Sequence, residues 1–136
     1  TLCGTALKNT STKVEGGSSD MEIGIKVNDL NFKVFTADPE TPELTIDSPE
    51  GKIHCFGVMN PMQQTICLCK RGQKEAFRKT AAHELTHAFI FAFGAHIPME
   101  YAEAEEFICD FIGVHGQTIS TLAACITERL WKDAEN

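Results

Sequence analysis

Hydrophobic and polar residues alternate over much of the first half of the chain and follow a helical period over the second half. In the first half, Ile23, Ile25 and Val27 alternate with other residues, which predicts a strand with one buried face. Asn28 and Asp29 follow as a turn signal, and a second extended run comes directly after them. These residues therefore predict a β-hairpin near the start of the folded domain.

A loop rich in proline and acidic residues comes next. Beyond it, two more strands are predicted at residues 52–58 and 65–69, around a turn at Pro61. Cys67 and Cys69 are two positions apart in the second of these strands, so both side chains should point to the same face. The chain has six cysteines but no Cys-x-x-Cys pair. We expect them to be mainly reduced, buried thiols of a cytoplasmic protein.

The last part of the chain is predicted to be helical, over residues 73–93, 99–114 and 117–131. The first helix ends before Gly94, and it carries one apolar stripe with three- and four-residue spacing. The stripe consists of Phe77, Ala81, Leu85, Ala88 and Ala92. Gly113 and Gly116 separate the other two helices. The predicted fold is therefore α+β, with a small antiparallel sheet followed by about three helices.

The domain organisation is predicted to be simple. Residues 1–20 are polar and rich in glycine and serine, which indicates a flexible or vector-derived leader, with Met21 as a candidate native start. A chain of 136 residues can bury one core but leaves little room for accessory modules. We therefore expect residues 21–136 to form a single domain.

Charge and hydropathy exclude several kinds of partner. The chain has 12 basic and 19 acidic side chains, a net charge of −7, and no Lys/Arg cluster longer than a pair. That composition argues against a nucleic-acid partner bound through a basic face. The longest apolar run, residues 88–95, is too short to span a bilayer, and no secretory signal is visible. We expect a cytoplasmic protein with no membrane partner, and the sequence leaves its oligomeric state open.

The chemistry of the chain is concentrated in residues 83–87, where two histidines flank a glutamate. His83 and His87 are four residues apart, so on a helix they lie on one face and can bind one metal ion. Glu84 is about a quarter-turn away, close enough to reach a water on that ion but badly placed to be a ligand. This arrangement predicts a hydrolytic zinc site with Glu84 as the general base.

A catalytic zinc site normally has three protein ligands, so a third must come from elsewhere in the chain. The next helical pattern offers five acidic candidates: Glu100, Glu103, Glu105, Glu106 and Asp110. Glu106 is the favoured ligand, because Asp110 follows it by one helical turn and could orient a ligand as an outer hydrogen-bond partner. The zinc site is then expected between the first two helices.

The spacing His83-Glu84-x-x-His87 and then Glu106-x-x-x-Asp110 resembles the gluzincin pattern of zinc metallopeptidases. The short spacing and the run at residues 105–112 are similar to small peptidases of phages and mobile elements, broadly of the ImmA/IrrE type. The resemblance covers roughly residues 65–119. It implies a minimal zincin-like domain that binds one Zn²⁺, with Glu106 on the second helix as the third ligand.

Two further features follow from this resemblance. Zincins commonly bind an extended substrate along the strand before the active-site helix, which makes residues 65–69 a candidate substrate edge; an internal strand is the alternative. Spartan-like DNA-repair proteases, which also have a compact zincin core, usually complete the site with a third histidine. His96 or His115 would then have that role.

The function predicted from these residues is zinc-dependent endopeptidase activity on a protein or peptide partner, with Glu84 activating a zinc-bound water. Tyr101 and His115 are candidates for the group that stabilises the oxyanion. One alternative is a catalytically weak binding or regulatory module with a zincin fold. Another is a structural protein in which the His-Glu-x-x-His string is coincidental.

Overall fold

The fold is given by a computed structural model that describes residues 5–13 and 19–131, with side chains described from residue 22 onward. The strands are β1 Thr5–Lys13, β2 Ser19–Val27, β3 Leu30–Ala37, β4 Thr45–Ser48, β5 Gly51–His54, β6 Gly57–Asn60 and β7 Thr65–Cys69. A short 3₁₀ turn, Pro42–Leu44, precedes β4. The helices are α1 Lys74–Ala92 and α2 Tyr101–Leu130. The described residues thus form an α+β fold, as predicted.

The main sheet is mixed, so the prediction of an antiparallel sheet is wrong. Its described strands have the order β1-β2-β3-β7-β6. β3 and β7 run parallel, from the pair Lys33 and Thr65 to the pair Ala37 and Cys69, whereas the other neighbours are antiparallel. A parallel pair needs a long crossover. Here the crossover contains the 3₁₀ turn, the β4–β5 hairpin and β6.

The strand predicted at residues 52–58 is two strands with different partners. β5 pairs with β4 in a separate two-stranded sheet, whereas β6 pairs with β7 in the main sheet. The chain changes partners at Cys55 and Phe56: the amide of Cys55 donates to the carbonyl of Leu44, and the carbonyl of Phe56 accepts from Cys69. Alternating hydrophobicity predicts an extended backbone but does not identify its neighbours.

The hairpin predicted at the start of the domain is confirmed. Asn28 and Asp29 have φ values of 44° and 72°, the left-handed conformation that a two-residue hairpin turn of type I′ requires. The Asn28 side chain also donates a hydrogen bond of 3.0 Å to the carbonyl of Ala92. The turn is therefore attached to the last residue of α1, which fixes the end of the helix relative to the sheet.

One face of the main sheet is covered by the helices, and the other face is covered around β7. Ile23, Phe32 and Leu68 are among the residues that pack with the two helices in one large hydrophobic core. On the opposite face, Cys67 and Cys69 pack with Leu44 of the 3₁₀ turn. The prediction that these two cysteines share a face and are buried is confirmed. Burial, then the charge of Glu43 and then Cys69 raise the pKa of the Cys67 thiol to about 12.

The first helix lies within one residue of its predicted bounds. Four residues of the predicted stripe are buried, and Ala92 packs against the core at its edge. Gly94 ends the helix with a φ of 63°. The amide of Ala95 donates to the carbonyl of Ile90, and that of Gly94 donates to Phe91. This is a Schellman cap, whose left-handed residue is usually glycine.

The prediction of a helix break at Gly113 and Gly116 is wrong, because α2 continues through both residues. Glycine costs only about 1 kcal/mol relative to alanine in a helix interior, whereas proline costs about 3 kcal/mol, and no proline lies in α2. The second half of α2 is anchored in the core by Ile119, Leu122 and Ile126. Helix propagation from an anchored segment outweighs this small cost.

The leader predicted for residues 1–20 falls partly outside the described residues, which lack 1–4 and 14–18. Within it, β1 pairs with β2 from Thr5 opposite Val27 to Lys13 opposite Ser19. The leader and the single domain at residues 21–136 stay predictions. Among the helices that the structure describes, neither combines the length and the apolar character needed to cross a membrane.

Candidate functional site

The His-Glu-x-x-His motif lies in the middle of α1. His83 and His87 are exposed on the surface of the helix, whereas Glu84 is buried, with its side chain 9% exposed. The difference follows from the helical period, since Leu85 and Ala88 occupy the face that packs into the core. Glu84 lies at the margin of that face. The motif therefore presents two accessible imidazoles beside a sheltered carboxylate.

The two imidazoles have a separation that suits a shared metal ion. The ring centroids of His83 and His87 are 5.0 Å apart, with an angle of 73° between the ring planes. Two imidazoles that bind one tetrahedral zinc at about 2.0 Å would have centroids roughly 5 Å apart. An edge-to-face ring contact has a similar separation. The centroid separation is therefore compatible with both arrangements, and Glu84 Oε2 lies 3.9 Å from Nε2 of His83.

Glu84 opens into a cleft of about 400 Å³ between α1 and β6. The lining residues are Phe56, Gly57, Lys79, Thr80, His83 and Glu84. The sequence predicted the site between the first two helices; the structure instead places Glu84 opposite a strand. A sheltered carboxylate, an imidazole and a lysine therefore share one depression with the backbone of β6.

The cleft adjoins an open sheet edge. β6 is the last strand of the main sheet in the described chain, and β7 lies between β3 and β6. The prediction that residues 65–69 form a substrate-binding edge is therefore wrong. They form an internal strand, which was the alternative. The carbonyl of Phe56 accepts a hydrogen bond from the amide of Cys69. Backbone N–H and C=O groups alternate in direction along an antiparallel pair of strands. The backbone groups of Gly57 and Met59 therefore point away from β7, toward the open edge.

The favoured third ligand, Glu106, lies away from the two histidines. α1 and α2 are antiparallel: His115 packs against Phe89 and Phe93, and Lys74 pairs with Glu128. These contacts place Glu106 beyond the end of α1. At a rise of 1.5 Å per residue, Glu106 lies about 16 Å from His87 along the helix axis. Asp110 is one turn closer, and both carboxylates are exposed.

The other predicted ligands are not gathered at the motif either. Glu100 is the N-cap of α2, and Glu103 and Glu105 are exposed within its first five residues. Among the side chains described, those of residues 22–131, no three His, Cys, Asp or Glu groups are placed to hold a metal ion together. The structure thus brings together His83, Glu84 and His87 and leaves the predicted third ligand apart.

Tyr101 and His115, the candidates for the oxyanion-stabilising group, are outside the cleft lining. Tyr101 is exposed at the start of α2. His115 contacts the rings of Phe89, Phe93 and Phe111, and burial among them lowers the pKa of its imidazole. These contacts show that His115 packs between the two helices.

Four residues of the cleft are absent from the sequence-based prediction. Lys79 and Thr80 precede His83 and Glu84 by four residues each, so the helical period could have identified them. Gly57 begins β6 and Phe56 directly precedes that strand, so both are distant in sequence from the motif. Only the pairing of β6 with β7 reveals that they belong to the site.

No protein-family model, no curated protein and no solved structure matches this chain.

Proposed function

We propose that this protein is a small zinc metallopeptidase of the gluzincin type that hydrolyses peptide bonds of a protein partner. One observation carries the proposal: the sheltered carboxylate of Glu84 lies in a cleft, beside an exposed pair of imidazoles whose spacing suits one zinc ion. His83 and His87 would hold the ion. Bound zinc would supply Lewis acidity toward the scissile carbonyl and toward a water.

The roles of the protein groups follow from their positions. Glu84 would remove the proton of the attacking water and pass it to the leaving amine. Its carboxylate is sheltered from bulk solvent yet lines the cleft, where it can reach a substrate. The exposure of His83 and His87 leaves their ring nitrogens accessible to an ion. Hydrolysis needs all three groups together.

The open edge of β6 supports a peptide substrate. An extended chain that added to β6 could form backbone hydrogen bonds with Gly57 and Met59. Gly57 is also part of the cleft that contains Glu84. A peptide bound in this way would therefore pass beside the proposed general base.

Glu106 is the proposed third protein ligand, with Asp110 as its outer partner. In the described structure this part of α2 extends past the end of α1, so the first half of α2 would have to move toward the histidines. Gly113 and Gly116 are the positions at which a break in α2 costs least. Tyr101, Ile108 and Ile112 leave large apolar side chains exposed along this half.

A second candidate function is a binding or regulatory module with little hydrolytic activity. The separation of Glu106 from the two histidines favours it, because two protein ligands hold zinc less firmly than three. In either case we propose a cytoplasmic location. The described cysteines are free thiols, which supports a reducing compartment.

Zinc analysis tests the metal part of the proposal. Protein purified without chelator should contain about one zinc per chain, and His83→Ala or His87→Ala should lose it. His54→Ala is the matched control, because His54 lies on β5 outside the cleft lining. Removal of zinc should stop cleavage of an unfolded polypeptide, and added zinc should restore it. Absence of zinc from the wild type, or equal loss in His54→Ala, would overturn the proposal.

A further inference from the structure

Lys79 gives the cleft a local positive charge. It is the cationic residue among the side chains that line the cleft in the described structure, and its side chain is exposed. It precedes His83 by four residues, so the two lie on the same face of α1. Phe56 is also in the lining, and 75% of its surface is exposed. The cleft thus combines an ammonium group with an uncovered aromatic ring.

The charge of Lys79 is available to a ligand. Two neighbouring cations on α1 are already paired, since Arg78 binds Glu75 and Lys74 binds Glu128. Lys79 forms no ion pair with the residues that the structure describes; the carboxylate of Glu75 feels its charge only at longer range. The pKa of Glu75 is lowered chiefly by the hydrogen bond from Arg78. Lys79 is therefore the unpaired cation at the cleft.

The position of the cleft restricts how a ligand meets these groups. α1 packs against β6 and β7, so it covers one face of the sheet next to the open edge. Side chains of a strand added to that edge alternate between the two faces. Every second side chain would then point toward the α1 side, where Lys79, His83 and Glu84 line the cleft. A side chain at such a position can reach Lys79.

We infer that the cleft selects extended peptides with an acidic side chain opposite Lys79 and an apolar side chain against Phe56. This inference rests on the proposed function, because it assigns a substrate class to the same site. The selection is local, since the chain carries a net charge of −7 and repels acidic peptides in general. Reversal of one charge at Lys79 should therefore reverse the preference.

The test is peptide binding in a Glu84→Gln background, which separates recognition from turnover. Fluorescent peptides of about ten residues, identical except for Glu, Gln or Lys at one position, are titrated and followed by anisotropy. We expect the Glu peptide to bind about 1.5- to 5-fold more tightly than the Lys peptide, the range of an exposed ion pair. Lys79→Gln should remove the preference, and Lys79→Glu should reverse it.

Lys26→Glu is the matched control, because it makes the same change of net charge on β2, which two strands, β3 and β7, separate from β6. Lys26 forms an exposed pair with Asp29, whose loss should cost little. The preference should survive in this variant. The inference is overturned if no peptide binds, if Lys79→Glu keeps the original preference, or if Lys26→Glu alters it equally. Peptide selection without turnover by the wild-type protein would support the inference and contradict the hydrolytic function alone.

Discussion

Gly57 on β6 lies so close to Thr80 on α1 that a β-carbon at residue 57 would come within 2.7 Å of the Thr80 methyl group. The same atom would be 3.0 Å from Cγ of Glu84. Thr80 cannot easily turn away, because its hydroxyl donates to the carbonyl of Ala76 at 3.0 Å. The absence of a side chain at Gly57 therefore allows the edge strand to approach the proposed general base.

Gly57→Ala should lower the free energy of unfolding by about 1–3 kcal/mol, the usual cost of forcing an extra carbon into a packed site. Urea denaturation of the variant and the wild type measures the difference. Thr80→Ser removes the nearest methyl group and should recover part of the loss in the double variant. Equal stability of Gly57→Ala and the wild type would contradict the close contact.

The continuity of α2 can be tested at its two glycines. A β-carbon at Gly113 would meet nothing within 4 Å, so Gly113→Ala should raise the free energy of unfolding by about 0.5–1 kcal/mol. A β-carbon at Gly116 would come within 3.2 Å of Ile112, so Gly116→Ala should raise the free energy of unfolding by a smaller amount. Urea denaturation gives both values. A loss of stability at Gly113 would indicate the broken helix that the sequence predicted.

The cysteines should differ strongly in reactivity under native conditions. Cys109 is exposed, whereas Cys67 is buried and its thiol has a pKa raised to about 12. Only the thiolate reacts with alkylating reagents, so Cys109 should be labelled first and Cys67 only after unfolding. Peptide mass spectrometry after brief iodoacetamide treatment measures the order, with Cys109→Ser as the control. Early labelling of Cys67 would show that the face covered by Leu44 is open.

The identity of the third ligand can be tested without a structure. Glu106→Gln should weaken zinc binding at least about 10-fold if Glu106 joins His83 and His87 on the ion. Glu105→Gln makes the same change one residue away and should leave the affinity unaltered. Competition with a chromophoric chelator measures the zinc affinity of both variants. An unchanged affinity in Glu106→Gln would exclude Glu106 as a ligand.

The parts of the fold that the sequence predicted are those governed by neighbouring residues. Asn28 and Asp29 determine their own turn, and the stripe from Phe77 to Ala92 predicts which face of α1 is buried. Gly94 ends a helix, whereas Gly113 does not. The difference lies in tertiary packing, because the residues after Gly113 return to the core as a helix, which local spacing does not indicate.

The candidate site was predictable only along α1. His83, Glu84 and His87 follow from one helical period, and the same period includes Lys79 and Thr80. The pairing of β3 with β7, which makes β6 the edge, depends on residues far apart in sequence. Gly57 could therefore not be assigned to the site without the fold. The position of Glu106 likewise depends on how far α2 extends past α1.

Whether Glu84 acts as the general base of a peptidase is decided by the rates at which zinc-loaded wild-type protein and zinc-loaded Glu84→Gln cleave an unfolded polypeptide. The substitution keeps the size of the side chain and removes the base. We predict cleavage by the wild type and a rate at least about 100-fold lower for Glu84→Gln, the usual contribution of a general base. Zinc content should be equal in the two proteins. Equal rates, or no cleavage by either protein, would contradict the peptidase function.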